Sequence, residues 1–101
     1  MFSIKYSNQA ILDLKEAIRH ISIDSEQNAL DYLLRYEKKI ELLSMNPLMG
    51  TECKNKSIKR DCRVLVHESH ILIYEINKNR NEILIIRIYH SSVDYLNRIK
   101  K

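Results

Sequence analysis

The 101-residue chain is 45% hydrophobic and 30% charged with a net charge of +4, which is the composition of an ordinary soluble globular protein. That length allows one core, so a single domain over 1–101 is expected, and no apolar run approaches the roughly 18–20 residues that a bilayer span requires. With one glycine, Gly50, and one proline, Pro47, the Gly-rich loops that cradle nucleotide phosphates are excluded, because they need several close backbone approaches.

Phe2, Ile4 and Tyr6 alternate with Ser3 and Lys5, which predicts a short strand with one apolar face. Ser7 is placed to cap a following helix. In that helix Ile11, Leu14, Ile18 and Ile21 fall on one side. Asp24 and Ser25 mark the next cap, after which Ala29, Leu33, Tyr36, Ile40 and Leu43 form a second helical stripe. The two stripes predict a helical hairpin. Asn46-Pro47-Leu48-Met49-Gly50 ends it, since proline cannot continue a helix and glycine permits a turn. Residues 51–61 are polar and basic and are read as a loop.

The period then changes from helical to two-residue alternation. Strands are predicted over 62–67, 71–76 and 82–89, with a polar turn over 77–81. In the last strand, simple alternation puts Leu84, Ile86 and Ile88 on one face and Ile83, Ile85, Arg87 and Tyr89 on the other. Two apolar faces imply a central strand. Val93, Leu96 and Ile99 suggest a short C-terminal helix. The fold class is therefore α+β, with an N-terminal strand and a two-helix hairpin on an antiparallel sheet.

Charge is unevenly distributed. Residues 1–50 carry six Lys/Arg against seven Asp/Glu, and residues 51–101 carry eleven against six. A basic second half suits an acidic partner, whether nucleic acid or an acidic protein segment, or is a solvated surface. Cys53 and Cys62 form no C-x-x-C pair and have no evident metal-ligand companions, so they are read as reduced structural thiols. No metal and no cofactor are called for. Without a basic region leading into an apolar stretch at Met1–Tyr6, the expected compartment is the cytoplasm, with no membrane association.

The element order, with these residues, resembles the RelE/ParE superfamily of small bacterial toxins. Tyr6-Ser7 with Ala10, Asp13-Leu14 and Ile18 resembles its first strand and helix. Pro47 to Gly50 is similar to its P-x-x-G turn. Arg63-Val64-Leu65-Val66 and Ile71 to Ile76 resemble successive strands. Ile85-Ile86-Arg87-Ile88-Tyr89-His90, followed by Asp94-Tyr95, resembles the ParE ending. The resemblance implies a toxin neutralised by a cognate antitoxin, as a homodimer or a toxin–antitoxin hetero-oligomer. For the ParE-like branch it implies inhibition of DNA gyrase by binding. For the RelE-like branch it implies ribosome-dependent cleavage of messenger RNA.

RNA cleavage needs a base, an acid and cations for the crowded phosphate. The slot three residues before the strand tyrosine, arginine in many RelE-like members, is Ile71 here, and His90 is followed by Ser91 rather than tyrosine. The catalytic candidates for a ribonuclease are thus Arg63, Arg87 and His90, and this depleted set favours the ParE-like reading. His90 is the general-base candidate because imidazole titrates near neutrality. Arg63 is either a phosphate or antitoxin anchor, or a structural arginine paired with Glu75 or Asp94. Arg87, on a central strand, needs a partner if buried. Lys54, Lys56, Lys59, Arg60, Arg63, Tyr89, Tyr95 and Arg98 are the candidates for binding the target or the antitoxin.

Overall fold

The computed structural model describes residues 1–53 and 62–92. β1 (Ser3–Tyr6) leads into α1 (Asn8–Asp24) and α2 (Glu26–Met45), followed by a 3-10 turn at Pro47–Met49. Then come β2 (Thr51–Glu52), β3 (Arg63–His67), β4 (His70–Asn77) and β5 (Glu82–His90). The hairpin covers one face of a five-stranded sheet of order β1-β5-β4-β3-β2. From β2 to β5 the pairing is antiparallel, whereas β1 joins the sheet parallel to β5. Thr51 and Glu52, expected in a loop, instead add a two-residue edge strand to β3.

Both helix starts lie where the serines predicted them. Ser7 Oγ accepts the Ala10 N–H at 3.0 Å and Ser25 Oγ accepts the Asn28 N–H at 3.1 Å. Ser7 also donates from Oγ to Ile86 O at 2.6 Å and from its backbone to Ile85 O at 2.9 Å. One residue thus caps α1 and fixes its phase against β5. The phase differs from the expected stripe. Ala10 and Ala17 are buried, with Leu14, Ile18 and Ile21 packed beside the core, and Ile11 is 41% exposed. The small alanines let the helix approach the sheet closely. On α2 the expected stripe holds, and Tyr32 joins it as a buried residue.

The alternation expected in β5 also breaks. Tyr74 pairs with Ile85 and Ile73 with Arg87, leaving Ile86 as a β-bulge. The extra residue shifts the register of faces. Ile83, Ile85 and Ile88 join the core under the helices, together with Leu72 and Tyr74. Ile86 and Tyr89 join a second apolar cluster with Val64, Ile71, Ile73 and Cys62. Ile88 therefore lies with Ile83 and Ile85, against the simple alternation. Cys53 and Cys62, expected as reduced thiols, are joined in a disulfide. They occupy facing positions at the ends of β2 and β3, and sequence spacing does not encode that pairing. The C-terminal helix expected around Val93, Leu96 and Ile99 lies outside the described residues. Among the described residues, no helix is long and apolar enough to cross a membrane.

Candidate functional site

β1 covers β5 only from Glu82 to Ile85, so the rest of β5 would present a bare edge. Asp13, on α1, closes it. Its carboxylate accepts the Ile88 backbone N–H at 2.9 Å and Arg87 Nε at 2.8 Å. Arg87 Nη2 adds a longer bond of 3.3 Å to the other oxygen. Burial pushes the Asp13 carboxyl up. The hydrogen bonds from Arg87, Ile88 and Gln9 outweigh that and hold it below the ordinary carboxylate value. Arg87 also stacks over the Tyr89 ring at 4.6 Å.

Beyond Arg87, a cleft of about 620 Å³ opens between α1, the start of α2 and the ends of β4 and β5. Asp13, Glu16, His20, Asp24, His70 and His90 line it. His90 is exposed. Its Nδ1 lies 2.9 Å from Ser92 Oγ and accepts the Ser92 N–H at 3.2 Å. The His90 ring meets the buried His70 ring edge-on, with centroids 5.5 Å apart. His70 Nδ1 is hydrogen-bonded to Tyr32 Oη at 2.9 Å. Burial lowers the pKa of His70, and the charge of His90 lowers it further. Burial likewise pushes the Tyr32 hydroxyl up to about 12, so it stays protonated near neutrality.

His67, next to this group, packs edge-on against Tyr32 and Tyr36. Its Nε2 is buried and lies 3.2 Å from a Glu68 oxygen, but the angle makes no hydrogen bond. Glu68 is turned toward Arg35, which grips both its oxygens at 2.7 and 3.1 Å. Glu68 opens the two-residue turn between β3 and β4 in a left-handed backbone conformation, φ 55°, which tight hairpin turns call for and non-glycine residues adopt at some cost. Sequence reading found His90 but missed His70 as its neighbour and Tyr32 behind His70. The one available signal was the single pair of residues between His67 and His70, which fits a tight hairpin placing both at a strand end.

Arg63 lies elsewhere. Its guanidinium donates to Gly50 O, from Nε at 3.2 Å and from Nη2 at 2.8 Å, and more weakly to Leu48 O. Among the described residues its carboxylate partner is Glu52, at 3.7 Å, rather than the expected Glu75, and Asp94 lies outside the described residues. Tyr74 grips the same turn: its hydroxyl donates to Pro47 O at 2.6 Å and accepts the Gly50 N–H at 3.0 Å. Gly50 sits so close that an added Cβ would meet Val64 O at 2.6 Å and Tyr74 Oη at 2.7 Å. The P-x-x-G turn is thus a clamp built on carbonyl groups.

The three catalytic candidates do not converge. Arg63 pairs with Tyr74 and His90 with His70. Those partners are four residues apart on β4, or roughly 13 Å at ~3.3 Å per residue. An open hollow of about 1060 Å³ beside Arg63 carries Lys5, Lys78 and Arg80 alongside Glu52, Glu75 and Glu82, with no histidine on its walls. Arg87 and Tyr89 lie near His90, with Arg87 already neutralised by Asp13. Lys54, Lys56, Lys59, Arg60, Tyr95 and Arg98 lie outside the described residues. Among the described residues, no group of three or more His, Cys, Asp or Glu is arranged to hold a metal ion.

The comparisons with known proteins agree with this architecture. The sequence model of a family described as "ParE toxin of type II toxin-antitoxin system, parDE" matches residues 4–95. Comparison with curated proteins gives no match. Among solved structures, the chain is similar to one described as the chromosomal ParDE toxin–antitoxin system from P. aeruginosa. The TM-score is 0.68 at 20% identity, covering 89% of this chain and 96% of that one. It is also similar to a chain of the RelBE2 toxin–antitoxin complex from Mycobacterium tuberculosis, with TM-score 0.63, 17% identity, and 88% and 90% covered. A third likeness is to a metal-bound toxin from Helicobacter pylori, with TM-score 0.60, 24% identity, and 91% and 97% covered. At these identities the structural likenesses bear on the fold.

Proposed function

Because this chain belongs to the ParE toxin family of type II toxin–antitoxin systems, we propose that it is a growth-inhibiting toxin that acts by binding DNA gyrase. In this reading it works in the cytoplasm and a cognate antitoxin neutralises it. The observation that carries the choice of target is how the cations are used. Arg63 is committed to the carbonyls of the Pro47–Gly50 turn, and Arg87 to the carboxylate of Asp13. Neither is left to neutralise a scissile phosphate. The cleft beside His90 has no lysine or arginine among the described residues that line it, and of its carboxylates Asp13 is paired with Arg87 and Glu16 with Arg19, so its walls offer little attraction for an RNA backbone. Binding without hydrolysis asks for no convergent acid, base and cation.

An antitoxin partner is supported by the similar structures, which are described as a ParDE toxin–antitoxin system and a RelBE2 toxin–antitoxin complex. It is also supported by apolar side chains exposed on the hairpin and the turn after it, among them Leu30, Leu34, Leu42, Met45 and Leu48. Exposed apolar surface of this kind marks association sites, and an amphipathic segment that folds on binding would cover it.

A second reading, a ribosome-dependent messenger-RNA endoribonuclease, draws on the paired imidazoles of His70 and His90 and the Tyr32 hydroxyl behind them. One experiment separates the two. The chain is induced briefly in cells lacking the antitoxin, and DNA and protein synthesis are pulse-labelled. The gyrase reading expects DNA synthesis to stop first with messenger RNA intact, and His90→Ala to arrest growth as the parent does. Early loss of translation with fragmented messenger RNA, abolished by His90→Ala in a folded protein, would overturn it.

A further inference from the structure

Thr51 pairs with Val64 and Glu52 with Arg63, so the next facing pair along this ladder is Cys53 with Cys62. The Cys53 N–H donates to Cys62 O at 3.0 Å, and the two Cα atoms are 5.6 Å apart. That separation suits a disulfide, and the backbone bond joins the same two residues alongside the sulfurs. The pair can therefore open and reclose in place. The two sulfurs differ in access. Cys62 is 3% exposed, within the apolar cluster of Val64, Ile73 and Tyr89, and Cys53 is half-buried at the margin of that cluster. In sequence they enclose Lys54, Lys56, Lys59 and Arg60 against one carboxylate, Asp61, and net positive charge in a sequence favours small anionic reagents.

We propose that Cys53 and Cys62 form a reversible redox-modification site, with Cys53 exchanging with a small anionic disulfide such as glutathione disulfide and Cys62 resolving the adduct. In oxidation, Cys53 gives its proton to water and its thiolate attacks one sulfur of glutathione disulfide. A mixed disulfide forms and one glutathione thiolate leaves. Cys62 then loses its proton and attacks the Cys53 sulfur, releasing the second glutathione. Two electrons pass from the cysteine pair to the glutathione disulfide. Reduction runs the same steps backwards, beginning with attack of reduced glutathione on the more accessible Cys53 sulfur. Reduction removes the covalent tie between β2 and β3 and leaves the Cys53–Cys62 backbone bond to hold that edge alone.

The test equilibrates the intact chain in buffers of varied reduced-to-oxidised glutathione ratio, quenches with acid, alkylates and measures mass. The expected result is one transition from disulfide to dithiol. Cys62→Ser should trap one glutathionyl group on Cys53. Cys53→Ser should react at Cys62 roughly tenfold more slowly, because reactivity follows access. Exchange of the Cys53 amide should quicken by about tenfold or more on reduction, as the tether is lost. Thiols that stay fully alkylatable in excess glutathione disulfide would overturn the proposal. So would a disulfide unmoved by excess reduced glutathione, or equal adduct formation by the two serine variants.

Discussion

The carboxylate of Asp13 meets the guanidinium of Arg87 at 2.8 Å, joining the middle of α1 to the bulged part of β5. The same carboxylate caps the edge of β5 beyond Ser7 by taking the Ile88 N–H. Asp13→Ala would strand both donors. Since a bond to a charged group contributes about 1.5–3 kcal/mol, a loss of about 2–3 kcal/mol is expected in urea unfolding at neutral pH. Asp13→Asn should lose less, because it keeps an acceptor for Ile88. Additive losses in a cycle of Asp13→Ala with Arg87→Ala would count against the pairing.

This carboxyl also gives stability an acid limb. Its folded pKa lies below the ordinary value, so its contribution is complete above the unfolded value of about 4 and is lost as pH falls through the folded value. Denaturant midpoints should drop there for the parent chain and less steeply for Asp13→Asn. Parallel curves for the two proteins would refute the assignment.

A second pH dependence is expected near neutrality. Burial lowers the pKa of both His67 and His70, the pull of Glu68 on each running the other way. The unfolded chain therefore binds more protons as pH falls below about 6.5. The contribution of these imidazoles is full above that pH and lost as pH falls through their folded values. Urea midpoints should decline between about pH 7 and pH 5, with a smaller slope in the His67→Gln, His70→Gln variant. A parent midpoint that does not move over this range would argue against buried neutral rings.

Gly50 is required for space, since its φ of −77° is open to any residue. The Cβ of Gly50→Ala would press on Val64 O and on the ring of Tyr74. Overpacking of this kind costs about 1–3 kcal/mol, which in a domain of this size lowers Tm by roughly 4–8 °C per kcal/mol. An unchanged Tm would mean that the turn yields without loss.

Arg63 is expected to behave as a structural residue. Arg63→Met should destabilise the chain by about 1.5–3 kcal/mol through the lost carbonyl bonds. Growth arrest should then fall only in proportion to the folded fraction. A fully folded variant with no toxicity would instead make Arg63 part of the target-binding surface.

Much of this fold was legible in the chain because it depends on local physics. Ser7 and Ser25 announce both helices by their capping chemistry. Pro47 and Gly50 mark the end of the hairpin, and the change from helical to two-residue period marks the sheet. The family resemblance rests on those same signals in their order. What depends on pairing across the chain was not legible. The bulge at Ile86 moves Ile88 to the other face, and no local pattern records a register shift between strands. Asp13 reads as an ordinary polar helix residue until α1 is laid along the open edge of β5. Cys53 and Cys62 look unrelated until β2 and β3 bring them opposite one another. Arg63 looks available for a phosphate until the Pro47–Gly50 turn folds beneath it. Helix caps and periodicity act over a few residues and are written in sequence order. Edge closure, register and ion pairing act between residues up to 79 positions apart, and only the packed structure decides them.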